Sequence, residues 1–211
     1  MTLQVVNLGL PKSGTTTLAR AFKRAGYRVA DHRVRDPQGE PGKQRLVFVA
    51  ELLYRGYFET GDPAALLPGF TAVSEMSMLR GKRSLWPQMD FALLEAVRRK
   101  NPGVKFVASR RDAAALSASM MAWNNLGTTR LPSRDIPGLP AGYGVSNAEQ
   151  ERWIDGHYDS LLHWFRDDPD YLELDIAAPD ARERLSSHLG RDLPWWGKAN
   201  TNRTAQAAGS S

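Results

Sequence analysis

Gly9-Leu10-Pro11-Lys12-Ser13-Gly14-Thr15-Thr16-Thr17-Leu18 is the stretch on which the fold turns. The apolar run Gln4 to Leu8 before it reads as a buried strand. After it, Leu18, Ala21, Phe22 and Ala25 fall at i, i+3, i+4 and i+7, one apolar helix face, and Gly26 suits the position just past that helix. A Gly- and Thr-rich turn from strand to helix aims successive backbone N–H groups and the positive helix end at one point. Such a turn is built to hold an anion, and phosphate is its natural occupant.

Outward from this unit the pattern repeats. Strands are expected at Tyr27 to Ala30, Phe70 to Ser74, Val104 to Ala108 and Tyr171 to Leu174. Helices are expected over about Arg45 to Tyr57, from Pro87 to Asn101, and after Asp112, carrying Leu116, Met120 and Met121. Another opens on the capping box Ser146/Glu149 and ends before Asp168-Pro169; the last runs from Pro179 to Leu189 and stops at Gly190. Residues 33 to 44, rich in Gly, Pro and charge, read as an exposed loop. Residues 126 to 145 read as a long loop of the kind that serves as a lid or binding loop. Strands alternating with helices predict an α/β fold. It is a single domain over residues 1–203, a central parallel sheet with helices on both faces in a P-loop NTPase-like three-layer sandwich. The Ala-, Gly- and Ser-rich residues 204–211 are expected to be a disordered tail.

Composition agrees with a packed domain. Of 211 residues, 42% are hydrophobic and 24% charged, which leaves enough apolar surface for a core. The absence of cysteine removes disulfide scaffolds, thiolate nucleophiles and cysteine zinc sites. No apolar run has the length of a membrane span, and Leu3 to Leu8 follows the first residues without a basic leader, so a soluble, cytoplasmic protein is expected. Lys plus Arg number 28 against 23 acids, a net +5, which favours a polyanionic ligand. Nucleic-acid and metal-ligand motifs are absent, so neither nucleic acid nor metal is expected at the site.

Gly9 and Gly14 have the spacing of the two glycines in a nucleoside-triphosphate P-loop, yet the lysine that should follow the second glycine is Thr15. Lysine stands instead at Lys12. The fourth strand runs into Ser109-Arg110-Arg111, with no Asp to hold magnesium and an arginine that invites a further anion.

These residues resemble the sulfotransferases that use 3′-phosphoadenosine 5′-phosphosulfate (PAPS). Pro11-Lys12-Ser13-Gly14-Thr15-Thr16 is similar to their 5′-phosphosulfate loop. Arg111 and Ser119 have the spacing of the arginine and serine that contact the 3′-phosphate in that family. Pro102 to Asp112 resembles the bacterial and fungal branch whose loop reads Gly-Leu-Pro-Arg/Lys-Ser/Thr-Gly-Thr, as does the ending Leu189 to Pro194 through Asn200-Thr201-Asn202. Ala113 departs from the proline usual after Arg-Asp, and the glycine-rich third nucleotide motif of the cytosolic branch has no counterpart here. The resemblance implies PAPS as donor and 3′,5′-adenosine bisphosphate (PAP) as product, with no metal required. The acceptor would be a small molecule, glycan or lipid carrying a hydroxyl or amine.

In that reaction the acceptor attacks sulfur while the phosphate oxygen leaves in line, so fixed donors at the bridging oxygen lower the barrier. Lys12 is the candidate for that oxygen. Backbone N–H groups from Ser13 to Thr17, with the Thr16 and Thr17 hydroxyls, would hold the 5′-phosphate. A base must take the acceptor's proton, and two residues suit it: Glu75 after the third strand and His32 after the second. His157 reads as packing, Trp195 and Trp196 as core, and Arg80, Lys82 and Arg83 as a solvated basic run able to guide an acidic acceptor. Two other functions compete with the sulfotransferase: a P-loop kinase or nucleotide hydrolase with a displaced lysine, and a catalytically silent nucleotide-binding module.

Overall fold

Five parallel strands form the sheet of the computed structural model, which describes residues 2–36, 39 and 45–197. They are β1 (Val5–Asn7), β2 (Val29–Asp31), β5 (Ala72–Glu75), β8 (Lys105–Arg110) and β9 (Tyr171–Asp175), lying side by side as β2-β5-β1-β8-β9. Side chains alternate across the sheet, and each face has its own core. Val5, Ala72, Val107 and Leu174 face one way, against Leu18, Ala21 and Phe22 of α1 (Thr15–Arg24) and Ala181 and Leu185 of α6 (Ala181–Leu189). Val6, Val73, Phe106 and Ala108 face the other. There they meet α2 (Val49–Thr60), α3 (Phe91–Lys100), α4 (Ala113–Met121) and α5 (Asn147–Trp164). The expected α/β sandwich, helices on both faces of one parallel sheet, is the observed fold. Burial on both faces is why β1 shows no alternation of exposed and buried positions.

Local capping chemistry sets several boundaries. Asp112 Oδ1 accepts from Ala115 N at 3.0 Å and opens α4. Ser146 and Glu149 form their reciprocal box at the start of α5. Gly190 ends α6 at φ 58. Pro87 does not begin a long helix: it sits in a single 3₁₀ turn, and α3 starts later, because Asp90 Oδ1 accepts from Leu93 N at 3.1 Å and is the better cap.

Three readings of loops are corrected. Residues 33 to 35 are not loop but strand β3 (Arg33–Arg35), paired antiparallel with β4 (Leu46–Phe48), so α2 starts at Val49 and not at Arg45. Only Val34 of β3 turns inward, and two flanking arginines hid that alternation among Gly, Pro and charge. The basic run is a hairpin, β6 (Met78–Arg80) and β7 (Arg83–Leu85), turning at Gly81-Lys82 with Gly81 at φ 57.

The third correction concerns residues 126–145, which are folded onto α5 and not free to act as a lid. Leu126, Leu131, Ile136 and Leu139 are buried, Gln150 Nε2 donates to the carbonyls of Gly127 and Gly144 at 3.0 and 2.8 Å, and Trp153 donates to that of Pro137. No helix among the described residues is long and apolar enough to cross a membrane. The expected tail at 204–211 lies outside the described residues.

Candidate functional site

β1 is the central strand, with β5 on one side and β8 on the other, and the loop that leaves it opens at the C-terminal edge of the sheet. Ligands of doubly wound sheets bind at such a point. Gly9 begins the loop in close quarters: an added Cβ would lie 2.2 Å from Ser109 Oγ and 2.5 Å from the Ser109 carbonyl oxygen. Overpacking of that kind displaces backbone, and Gly9→Ala is expected to cost about 1–3 kcal/mol and to melt several degrees lower in a thermal unfolding scan.

Further on, Lys12 and Gly14 both adopt left-handed backbone, at φ 71 and 110, on either side of the fully buried Ser13. Ser13 faces inward. Its N–H donates to the Leu10 carbonyl at 3.1 Å, and its hydroxyl lies 2.7 Å from that of Ser109. Pro11 is likewise buried. The first helical bond of α1 is Leu18 N to Gly14 O, and no side chain caps this end, so the N–H groups of Gly14 through Thr17 precede the first amide that donates within the helix. Those four amides lie at a positive helix end beside two left-handed residues, an arrangement whose chemistry suits an anion. Thr16 is half-buried, and the Thr17 hydroxyl donates to the Gly197 carbonyl at 3.3 Å.

Lys12 and Arg111 meet here. The Lys12 ammonium stands 4.7 Å over the Trp123 ring, and Arg111 Nη1 donates to the Lys12 carbonyl at 3.4 Å. Partial burial, and then the neighbouring Arg111, push the Lys12 pKa down, which makes its protons better hydrogen-bond donors. Ser119 lies two helical turns further along α4, half-buried. Arg110 points elsewhere: it binds Glu173 at 2.7 Å and Asp155 at 3.5 Å across the Tyr158 ring.

The two candidate bases end neighbouring strands. His32 N donates to the Glu75 carbonyl at 3.1 Å. Glu75 is buried, and its Oε1 accepts from the Ser77 N–H at 3.1 Å and from the Ser77 hydroxyl, and the nearby Thr15 hydroxyl also favours the charged form. Desolvation outweighs these donors and raises the Glu75 pKa to about 7. His32, at φ 44, sets its ring edge-on to Phe48 at 5.1 Å, and burial followed by Arg33 lowers its pKa, leaving the imidazole neutral.

Three residues hold the loop, and two of them, Asn7 and Tyr158, escape a linear reading. Asn7 Nδ2 donates to the Ser74 carbonyl at 2.8 Å, and its Oδ1 accepts from Gly9 N and Ser109 N at 3.1 and 3.0 Å, tying β1 to both neighbours. Tyr158 Oη donates to the Ser109 carbonyl at 2.7 Å and accepts from Leu10 N at 3.4 Å. His157 is packed as expected, with Nε2 2.9 Å from the Leu8 carbonyl, so it carries the proton there. Burial lowers its pKa to about 4. A polar Asn inside an apolar strand was the one available signal. Trp195 and Trp196 pack against the α1/α6 core.

No family model matches this chain, and no curated protein matches it. Solved structures that align with it include an unliganded sugar kinase from Janibacter sp., at 18% identity and a TM-score of 0.45, over 90% of this chain and 95% of that one.

Proposed function

We propose that this chain is a sulfotransferase that moves the sulfuryl group of PAPS to a hydroxyl or amine. The observation that carries the reading is the Lys12 ammonium at the mouth of the anion loop, with Thr15 at the position of a P-loop lysine and Arg111 bonded to the same loop. The amides of Gly14 to Thr17 would hold the 5′-phosphate, and Arg111 with Ser119 the 3′-phosphate. The acceptor oxygen or nitrogen forms a bond to sulfur as the bond from sulfur to the bridging oxygen breaks. The leaving electron pair stays on that oxygen, where Lys12 donates, and PAP departs.

Glu75 takes the acceptor's proton. Its raised pKa suits a base working near neutrality, and it ends the strand beside β1, from which the loop departs. His32, at the adjacent strand end, borders the acceptor's approach. A kinase would need a cation at position 15, where threonine stands, and this favours the sulfuryl donor over ATP.

A thermal-shift panel tests the donor class. PAP at a hundred times its dissociation constant is expected to add about 2.7 kcal/mol, roughly 5–10 °C for a domain of this size, without metal. ADP, AMP and ATP with magnesium should give much smaller shifts. No shift with PAP, or a shift confined to ATP with magnesium, refutes the sulfotransferase reading.

A further inference from the structure

Beside the transfer site lies a cation that nothing in the proposed chemistry uses. Arg130 ends a single π-helical turn, Leu126–Arg130, a rare backbone form that gathers at functional sites. Its guanidinium stands 5.6 Å over the Trp123 ring, the same ring that carries the Lys12 ammonium at 4.7 Å. The two cations thus share one indole, a span that a single aryl or sugar ring with its substituents bridges. Arg130 is also near enough to His32 to add to the lowering of the imidazole's pKa.

Among the described residues no carboxylate lies within ion-pair distance of Arg130, and its Nε is buried without a hydrogen-bond acceptor. Two other arginines of the region are engaged by oxygens of the protein. Arg83 is paired with Glu51, and Arg134 donates to the Gly81 carbonyl. Arg80 and Arg33 stand over the Phe48 ring, at 5.9 and 5.0 Å, on the ring that His32 also touches. A guanidinium partly withdrawn from water with a donor unmet is a site prepared for an oxyanion, because a bidentate carboxylate or similar group satisfies both needs at once.

We infer that the acceptor is itself an anion: a hydroxyl compound bearing a carboxylate or comparable oxyanion, bound through Arg130 against Trp123, with Arg33 and Arg80 on the rim. This assigns Arg130 the choice of acceptor class, and it rests on the sulfotransferase reading of Lys12 and its loop. Of the two arginines of the basic hairpin, Arg80 contributes and Arg83 is already engaged.

The test titrates PAP-loaded protein by calorimetry with 4-hydroxyphenylacetate and, separately, with its methyl ester. The carboxylate is expected to bind at least tenfold more tightly than the ester, with the preference weakening as salt is raised. Arg130→Gln should bring the two ligands to within about twofold, and Arg130→Lys should restore part of the difference. A thermal shift with PAP, measured first on each variant, separates the failures. If PAP itself does not bind the wild-type protein, the sulfotransferase reading falls. If PAP binds but the carboxylate shows no preference, or the preference survives Arg130→Gln, the acidic acceptor is wrong while that reading stands. A variant that no longer binds PAP is misfolded, and Arg130→Lys then carries the comparison.

Discussion

Lys12→Ala is expected to lower the rate of sulfuryl transfer by about 10²–10³, the loss that follows removal of one preorganised donor to a developing oxyanion, while PAP binding changes by less than tenfold. The split between rate and binding follows from the chemistry. The charge that Lys12 meets appears on the bridging oxygen only as the bond to sulfur breaks, so ground-state affinity has little to lose. The backbone supplies an independent check. Lys12 holds φ 71, a conformation that costs a residue with a Cβ about 1 kcal/mol and glycine almost nothing. Lys12→Gly should therefore melt higher than Lys12→Ala while being equally slow. Retention of more than a tenth of the wild-type rate in both variants would remove Lys12 from the mechanism.

Glu75→Gln should cut transfer by about 10²–10⁴ and, at pH 8, make the protein more stable. Both effects come from burial. With a folded pKa of about 7 against an ordinary 4.5, Glu75 keeps a proton in the native state that the unfolded chain has released between those values. Its contribution to stability is thus greatest below pH 4.5, falls as pH rises through that window, and is lost above pH 7, for about 3 kcal/mol in all at 1.36 kcal/mol per unit. Activity runs the other way, since only the carboxylate accepts a proton, and the wild-type rate should climb through pH 7 to a plateau.

His157 opposes this slope. Its folded pKa of about 4 lies below the ordinary 6.5, so stability is lost as pH falls from 6.5 towards 4. In wild type the two slopes offset each other between pH 4.5 and 6.5. Melting scans of Glu75→Gln at pH 5 and pH 8 should show the variant close to wild type at pH 5 and several degrees above it at pH 8. If the variant transfers at the wild-type rate, Glu75 is not the base and His32 takes its place, which His32→Asn then tests at a backbone, φ 44, that asparagine accepts.

Much of the architecture could be read from the chain because it depends on neighbours within one turn of helix or one strand. Asp112 and Ala115, Ser146 and Glu149, and the Gly9 to Thr17 loop between an apolar run and an amphipathic helix are all local chemistry. Where a signal was weak or split, the reading failed. The single inward residue of β3 was masked by charge, and the apolar residues of 126–145 lack a period because they meet α5 from an irregular path. The basic run at 80–83 carried no apolar alternation to mark its hairpin.

The candidate site divides the same way. Sequence alone determined that a Gly- and Thr-rich turn would stand between the first strand and the first helix, with lysine at position 12, because turn chemistry is a property of a few consecutive residues. The spacing to Ser119 points to Arg111, and only the folded chain gives the physical reason that it, and not Arg110, meets that turn. Successive side chains on a strand point to opposite sides, and the acids that claim Arg110 come from α5 and β9, leaving Arg111 to bond the Lys12 carbonyl. The same holds for Tyr158 and His157 bracing the loop from residues 148 and 149 positions away, and for the indole that Lys12 shares with Arg130. Contacts between groups that far apart along the chain exist because sheet and helices pack in one arrangement, and no local propensity encodes them.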